Sequence, residues 1–169
     1  MKNILVTIDF ENEAHLLVDK AFDLAKKFGS KVWLIHIAAP DPDFVGYQVG
    51  PQNERDFRAG ELRDERKIIE NYVQQLKEKG IDAEGLLIQG ATVETILKET
   101  EKLNIDLVII GRHKHSLLYK TFVGNTDSAL INKSKVPVLI IPLNNAISLP
   151  QKAGQHKADE EYLNHTPGH

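Results

Sequence analysis

Ile105-Asp106-Leu107-Val108-Ile109-Ile110-Gly111 is the stretch that decides the fold. Its apolar run is continuous rather than alternating, the pattern of a strand buried on both faces of a parallel sheet. Gly111 is expected to end that strand. A basic loop follows, Arg112-His113-Lys114-His115-Ser116-Leu117-Leu118-Tyr119-Lys120. Gly124 then opens a helix whose start carries Asn125-Thr126-Asp127-Ser128. Such residues favour helix N-termini. A strand end, a glycine-bounded loop and a helix start together aim backbone N–H groups at an anion.

Outward from this stretch, strands and helices alternate. The strands are expected over Asn3–Ile8, Lys31–Ile37, Ala83–Gln89, Ile105–Ile110 and Val136–Ile141, the last ended by Pro142. A helix is expected over Glu13–Phe28, because Ala14, Leu17, Val18, Ala21, Leu24, Ala25 and Phe28 fall on one face. Gly29 supplies its left-handed stop. A charged amphipathic helix over Glu61–Lys79 turns Leu62, Ile69, Val73 and Leu76 inward and closes at Gly80. Thr92 caps a third helix that buries Val93, Ile96, Leu97 and Leu103, and Asn125–Lys133 forms a fourth. The alternation implies an α/β fold with a parallel sheet and right-handed crossovers; the expected arrangement is a doubly wound five-stranded parallel sheet, order 3-2-1-4-5, with helices on both faces.

Two segments break the rhythm. Ala38–Arg58 has prolines at 40, 42 and 51, and is either a functional flap or a mobile loop. Asn144–His169 is polar and aperiodic, and reads as a flexible tail beyond a single domain over 1–143. The 169 residues suffice for one substantial core. A net charge of −3 gives no basic field for nucleic acid. No apolar run is long enough for a membrane span, and Met1-Lys2-Asn3-Ile4 has no signal-peptide pattern, so no membrane partner is expected. With no cysteine there are no disulfides, thiolate metal sites or thiol nucleophiles, which fits a cytoplasmic protein.

In such a sheet, ligands bind beyond the strand ends where strand order reverses, here between the first and fourth strands. Asp9, the Gly111 loop and the fourth helix start converge there, and His36-Ile37-Ala38 ends on the same rim. Blander readings stand beside these. Asp9 can cap the first helix with Asn12. His36 reads as a hydrogen-bonded residue in or beside the core. His113 and His115 lack a third ligand at helical spacing and read as surface residues.

The chain resembles the universal stress protein family over roughly Lys2–Leu143. The carrying segments are Ile4-Leu5-Val6-Thr7-Ile8-Asp9, Leu34-Ile35-His36-Ile37, Gly90-Ala91-Thr92, Asp106-Leu107-Val108-Ile109-Ile110-Gly111 and Val136-Pro137-Val138-Leu139-Ile140-Ile141-Pro142. ATP-binding members carry G-x2-G-x9-G-[ST]. Gly111 and Gly124 keep that spacing, but Lys114 stands at the second glycine and Asn125 at the Ser/Thr position, with Thr126 one place late. The resemblance implies that Ile8, Asp9 and Ile37 contact adenosine. It also implies that Gly111, Arg112, His113, Lys114, Gly124, Asn125 and Thr126 surround the phosphates of ATP, with or without Mg.

Lysine in place of glycine costs about 1 kcal/mol if a positive φ is needed, though its ammonium can replace lost backbone contacts. Asn125 remains a capping residue able to donate to an oxyanion, whereas Asp127 repels phosphate. No G-x-x-x-x-G-K-[ST], G-x-G-x-x-G or G-x-S-x-G is present. The reading is a binding or sensing module in a stress response, with weakened adenine-nucleotide affinity and at most slow, incidental ATP hydrolysis. The alternative is a nucleotide-independent interaction protein with a vestigial pocket. In both, Val136–Ile141 lies at the sheet edge and is expected to pair with a second copy, as it commonly does in the family.

Overall fold

The computed structural model describes residues 1–10, 13–38, 52–113 and 126–143; nothing is assigned to side chains 52–55, 113 and 126–128. The elements are β1 (Asn3–Thr7), α1 (Ala14–Phe28), β2 (Lys31–Ala38), α2 (Gln52–Glu78), β3 (Ala83–Gln89), α3 (Thr92–Lys102), β4 (Leu107–His113), α4 (Thr126–Lys133) and β5 (Val138–Leu143). All strand pairs are parallel, as the alternating pattern predicts, and the sheet order is the expected β3-β2-β1-β4-β5.

Strand alternation divides the core in two. Ile4, Val6, Ile8, Val32, Leu34 and Ile109 pack against Ala14, Leu17, Val18, Ala21 and Ala25 of α1 and Ile69 and Leu76 of α2. Leu5, Ile35, Val108 and Ile110 face the other way, onto Ile96 of α3 and Leu130 of α4. Continuous apolar strands follow directly from helices on both faces. Gly29 ends α1 at φ 65°, where a side chain is strained.

Several boundaries move. Helix α2 begins nine residues before the expected Glu61, inside the segment read as a flap. Its wet face carries the pairs Arg58–Glu61, Lys67–Asp64 and Arg66–Glu70, each at 3.0 Å and spaced three or four residues apart, which support a helix through Gly60. Phe28 was expected to face inward but is 54% exposed. Thr92 is the first residue of α3 rather than its cap; Ala91 holds that position without a side-chain bond. Ile105 and Asp106 precede β4. The Asp106 carboxylate instead accepts the Lys2 and Asn3 backbone N–H groups at 2.5 and 3.0 Å, tying the sheet's N-terminal edge together.

The most consequential shift is that Gly111 does not end β4. Gly111, Arg112 and His113 pair with Ile141, Pro142 and Leu143. Pro142 therefore lies within β5 rather than stopping it. An edge strand pairs on one side only, so a missing N–H there is tolerated. Lys114, His115, Gly124 and Asn125, the segment 39–51 and the tail 144–169 lie outside the described residues.

Candidate functional site

Helices leaving β1 and β4 run to opposite faces of the sheet, so a crevice opens at the carboxyl ends of these neighbouring strands. It is a cleft of about 300 Å³. Four expected site residues line it: Ile8 and Asp9 from the end of β1, Ile37 from β2 and Gly111 from β4. His36, Thr92 and Leu17 complete its walls, and Ile35, Ile96 and Ile110 contribute apolar surface.

Each part is held by a traceable contact. The Ile8 N–H donates to the Ile35 carbonyl at 2.9 Å, carrying β1 into the crevice one step past its last ladder pair. Ile8 itself is buried, while Asp9 is exposed at the rim. Asp9 does not start α1, which begins at Ala14 after Glu13. The His36 ring lies against Phe10, with centroids 4.0 Å apart. Its Nδ1–H donates to the Ile8 carbonyl at 2.8 Å, since a carbonyl can only accept. His36 is thus the hydrogen-bonded residue its apolar setting suggested, and it also forms a cleft wall.

Gly111 has a packing reason to be glycine. A Cβ built there would stand 2.5 Å from Leu143 Cδ1 and 3.3 Å from Leu17 Cδ1. Leu143 and Leu17 are both buried, so the space is already occupied on that side. Arg112 is exposed in β4 and does not line the cleft; His113 is placed only by its backbone pairing with Leu143. Thr126 opens α4. Lys114, Gly124 and Asn125 lie outside the described residues, so the phosphate half of the expected site is represented by Gly111 and the start of α4.

Leu17 and Thr92 were missed as lining residues. Leu17 had been assigned to the core by its helical spacing, and Thr92 to capping. Their place in the cleft depends on how α1 and α3 lie across the strand ends. A second hollow of about 220 Å³ sits beneath α2 at the edge strand β3, among Ile69, Val73, Gly85 and Leu87. It is remote from the strand-order reversal and contains none of the expected site residues. Among the described residues, no group of three His, Asp or Glu side chains converges as a metal site. No helix among them is long and apolar enough to cross a membrane.

Comparison with known proteins agrees with the architecture. The chain is 32% identical over 144 residues to universal stress protein C of Salmonella typhimurium, covering 83% of this chain and 95% of that protein. The fold is similar to that of hypothetical protein MJ0577, with a TM-score of 0.70, 23% identity, and coverage of 86% and 98% of the two chains. It is also similar to a universal stress protein solved in complex with cAMP, with a TM-score of 0.59, 18% identity, and coverage of 83% and 96%. The model of the universal stress protein family matches residues 1–142. The chain therefore belongs to the universal stress protein family.

Proposed function

We propose that the chain binds an adenine nucleotide in the cleft at the ends of β1, β2 and β4, and serves as a cytoplasmic sensing or signalling module rather than a dedicated enzyme. The observation that carries this reading is the convergence of Ile8, Asp9, Ile37 and Gly111 on one cleft of about 300 Å³. Its apolar walls suit a flat heteroaromatic base. The exposed Asp9 carboxylate accepts hydrogen bonds from ribose hydroxyls. The complex of a similar fold with cAMP supports the same ligand class. ATP, with or without Mg, is the ligand the family's motif implies, its phosphates directed toward the Gly111–Thr126 region. Lys114 and Asn125 weaken that half.

One observation favours the alternative, a nucleotide-independent interaction protein with a vestigial pocket. Leu143 beside Gly111 accounts for a glycine there without a ligand. Mass spectrometry of small molecules released on denaturing the purified protein separates the two. Recovered adenine nucleotide, and calorimetric binding of Mg·ATP that Asp9→Ala weakens, support the first reading. No heat from ATP or AMP sinks it. Lys114→Gly is expected to strengthen ATP binding.

Assembly is the second element of the proposal. β5 is an edge strand whose Val138, Leu139, Ile140 and Ile141 are only partly buried within the chain. Antiparallel pairing of this edge with a second copy covers it. Ile140→Lys is expected to shift sedimentation from dimer to monomer, and an unchanged dimer mass counts against this interface.

A further inference from the structure

Where β1 leaves the sheet, β2 keeps an open edge. In a parallel ladder the N–H and C=O of one residue point to the same neighbouring strand, and successive residues alternate sides. Ile35 turns its two groups toward β1, because its carbonyl accepts the Ile8 N–H at 2.9 Å. Ala38 turns the other way: its carbonyl accepts the Gly90 N–H at 3.2 Å, on the β3 side. Ile37, two residues past Ile35, therefore directs its N–H and C=O to the side that β1 has vacated. A continued ladder would give that N–H to the Ile8 carbonyl. The ladder stops instead at the pair Thr7–Ile35. The Ile8 carbonyl accepts from the His36 ring, whose Nδ1 stands 2.8 Å away. Among the described residues, neither backbone group of Ile37 has a hydrogen-bond partner, and Ile37 lines the cleft.

From this geometry we infer that His36 is a positioning residue of the cleft: by drawing the Ile8 carbonyl out of the ladder, it leaves the Ile37 N–H and C=O open to the hydrogen-bonding edge of a ligand. The family resemblance places adenosine near Ile37; the strand register and the His36 bond give the reason this residue has groups to offer. The ring is held for the task by Phe10, with centroids 4.0 Å apart. Backbone groups outside the ladder need water or a ligand. Ile37 presents one donor and one acceptor side by side, with Ile35 and Ile96 supplying apolar surface in the same cleft. Such a pair fixes the orientation of a flat heterocycle that carries an acceptor next to a donor. Adenine has that pattern at N1 and its exocyclic amine. Hypoxanthine reverses it, with a donor at N1–H and an acceptor at O6.

The ligand part of this inference rests on the nucleotide reading; the strand-edge part does not, and amide hydrogen exchange of the ligand-free protein tests it. In wild type the Ile37 amide is expected to exchange far faster than that of Ile35, which lies within the ladder. The amide nitrogen of His36→Asn occupies the place of Nδ1 and keeps Ile37 fast. That of His36→Gln occupies the place of Nε2 and misses the Ile8 carbonyl, which returns to Ile37 and slows its exchange by about tenfold, the worth of one hydrogen bond. His36→Leu behaves as His36→Gln does. Protection of Ile37 equal to that of Ile35 in wild type, or equal Ile37 rates in His36→Asn and His36→Gln, overturns the role of His36. For the ligand, AMP and inosine monophosphate are titrated by calorimetry. AMP is expected to protect the Ile37 amide and to bind about tenfold tighter than inosine monophosphate in wild type and His36→Asn, a margin lost in His36→Gln. An equal margin in all three proteins, or bound AMP with Ile37 unprotected, overturns the ligand part. If AMP binds to none of them, the nucleotide reading fails, and exchange in the free protein alone decides the role of His36.

Discussion

The ends of β1 and β4 flank the same crevice but are built differently. Beyond β1 the chain leaves the sheet at once. Ile8 is tied by its N–H to Ile35 and by its carbonyl to His36, and Asp9 emerges at the rim. Beyond Ile110 the chain stays in the sheet for three more residues, paired with Ile141, Pro142 and Leu143. The first end presents polar groups to the cleft. The second presents a bare backbone, because Leu143 and Leu17 occupy the space a side chain would need. A glycine that sequence reading assigns to anion binding is thus also required by its neighbours.

Leu17 tests whether the two ends share one floor, and its removal carries the largest expected effect. It is buried, lines the cleft and lies beside Gly111. Leu17→Ala is expected to cost about 2–5 kcal/mol in urea unfolding, the range for cavity-forming changes in a core. A loss under about 1 kcal/mol would mean that the surrounding residues collapse into the space and that the ends are independent.

Gly111→Val isolates the β4 end. Overpacking against Leu143 is expected to cost about 1–3 kcal/mol. Adding Leu143→Ala should recover part of that loss, measured as a non-additive double-mutant cycle. Strict additivity would separate the glycine from Leu143 and strengthen the case for a ligand requirement.

The smallest effect lies at the opposite end of the strands, where Asp106 tests whether that edge is purely structural. The Asn3 and Lys2 N–H groups, in that order of influence, hold its carboxyl below the usual carboxylate range. A lowered folded-state pKa gives stability that is present above the unfolded value and lost as pH falls through the folded one. Asp106→Asn is therefore expected to melt slightly lower than wild type at neutral pH and to converge with it in acid. Because Asp106 is exposed, the difference is modest. Nucleotide affinity should not change. A change would show that the strand ends communicate through the sheet.

Much of this was readable from local pattern. The run Leu107–Ile110 marked a doubly covered strand, and the helical spacing of Ala14, Leu17, Val18, Ala21 and Ala25 marked the face of α1 that is buried. Ile8, Asp9, Ile37 and Gly111 were placed together because strand order puts β1 beside β4. The full extent of α2 was not legible, since Gly60 resembles a breaker while its support comes from pairs such as Arg58–Glu61. Nor was the placement of Glu65 on α2, whose carboxylate stands 3.9 Å from Nε2 of His36. A glutamate on a charged helix looks solvated, and only the packing of α2 over β2 brings it to His36.

Sequence alone settled the alternation of strands and helices and hence a parallel sheet, because hydrophobic period and right-handed crossover are properties of consecutive residues. Only the folded chain decided that β4 runs on past Gly111, that Leu143 fills the space beside it, and that His36 meets Glu65. Those outcomes depend on atoms from distant parts of the chain competing for the same space, and no local period records them.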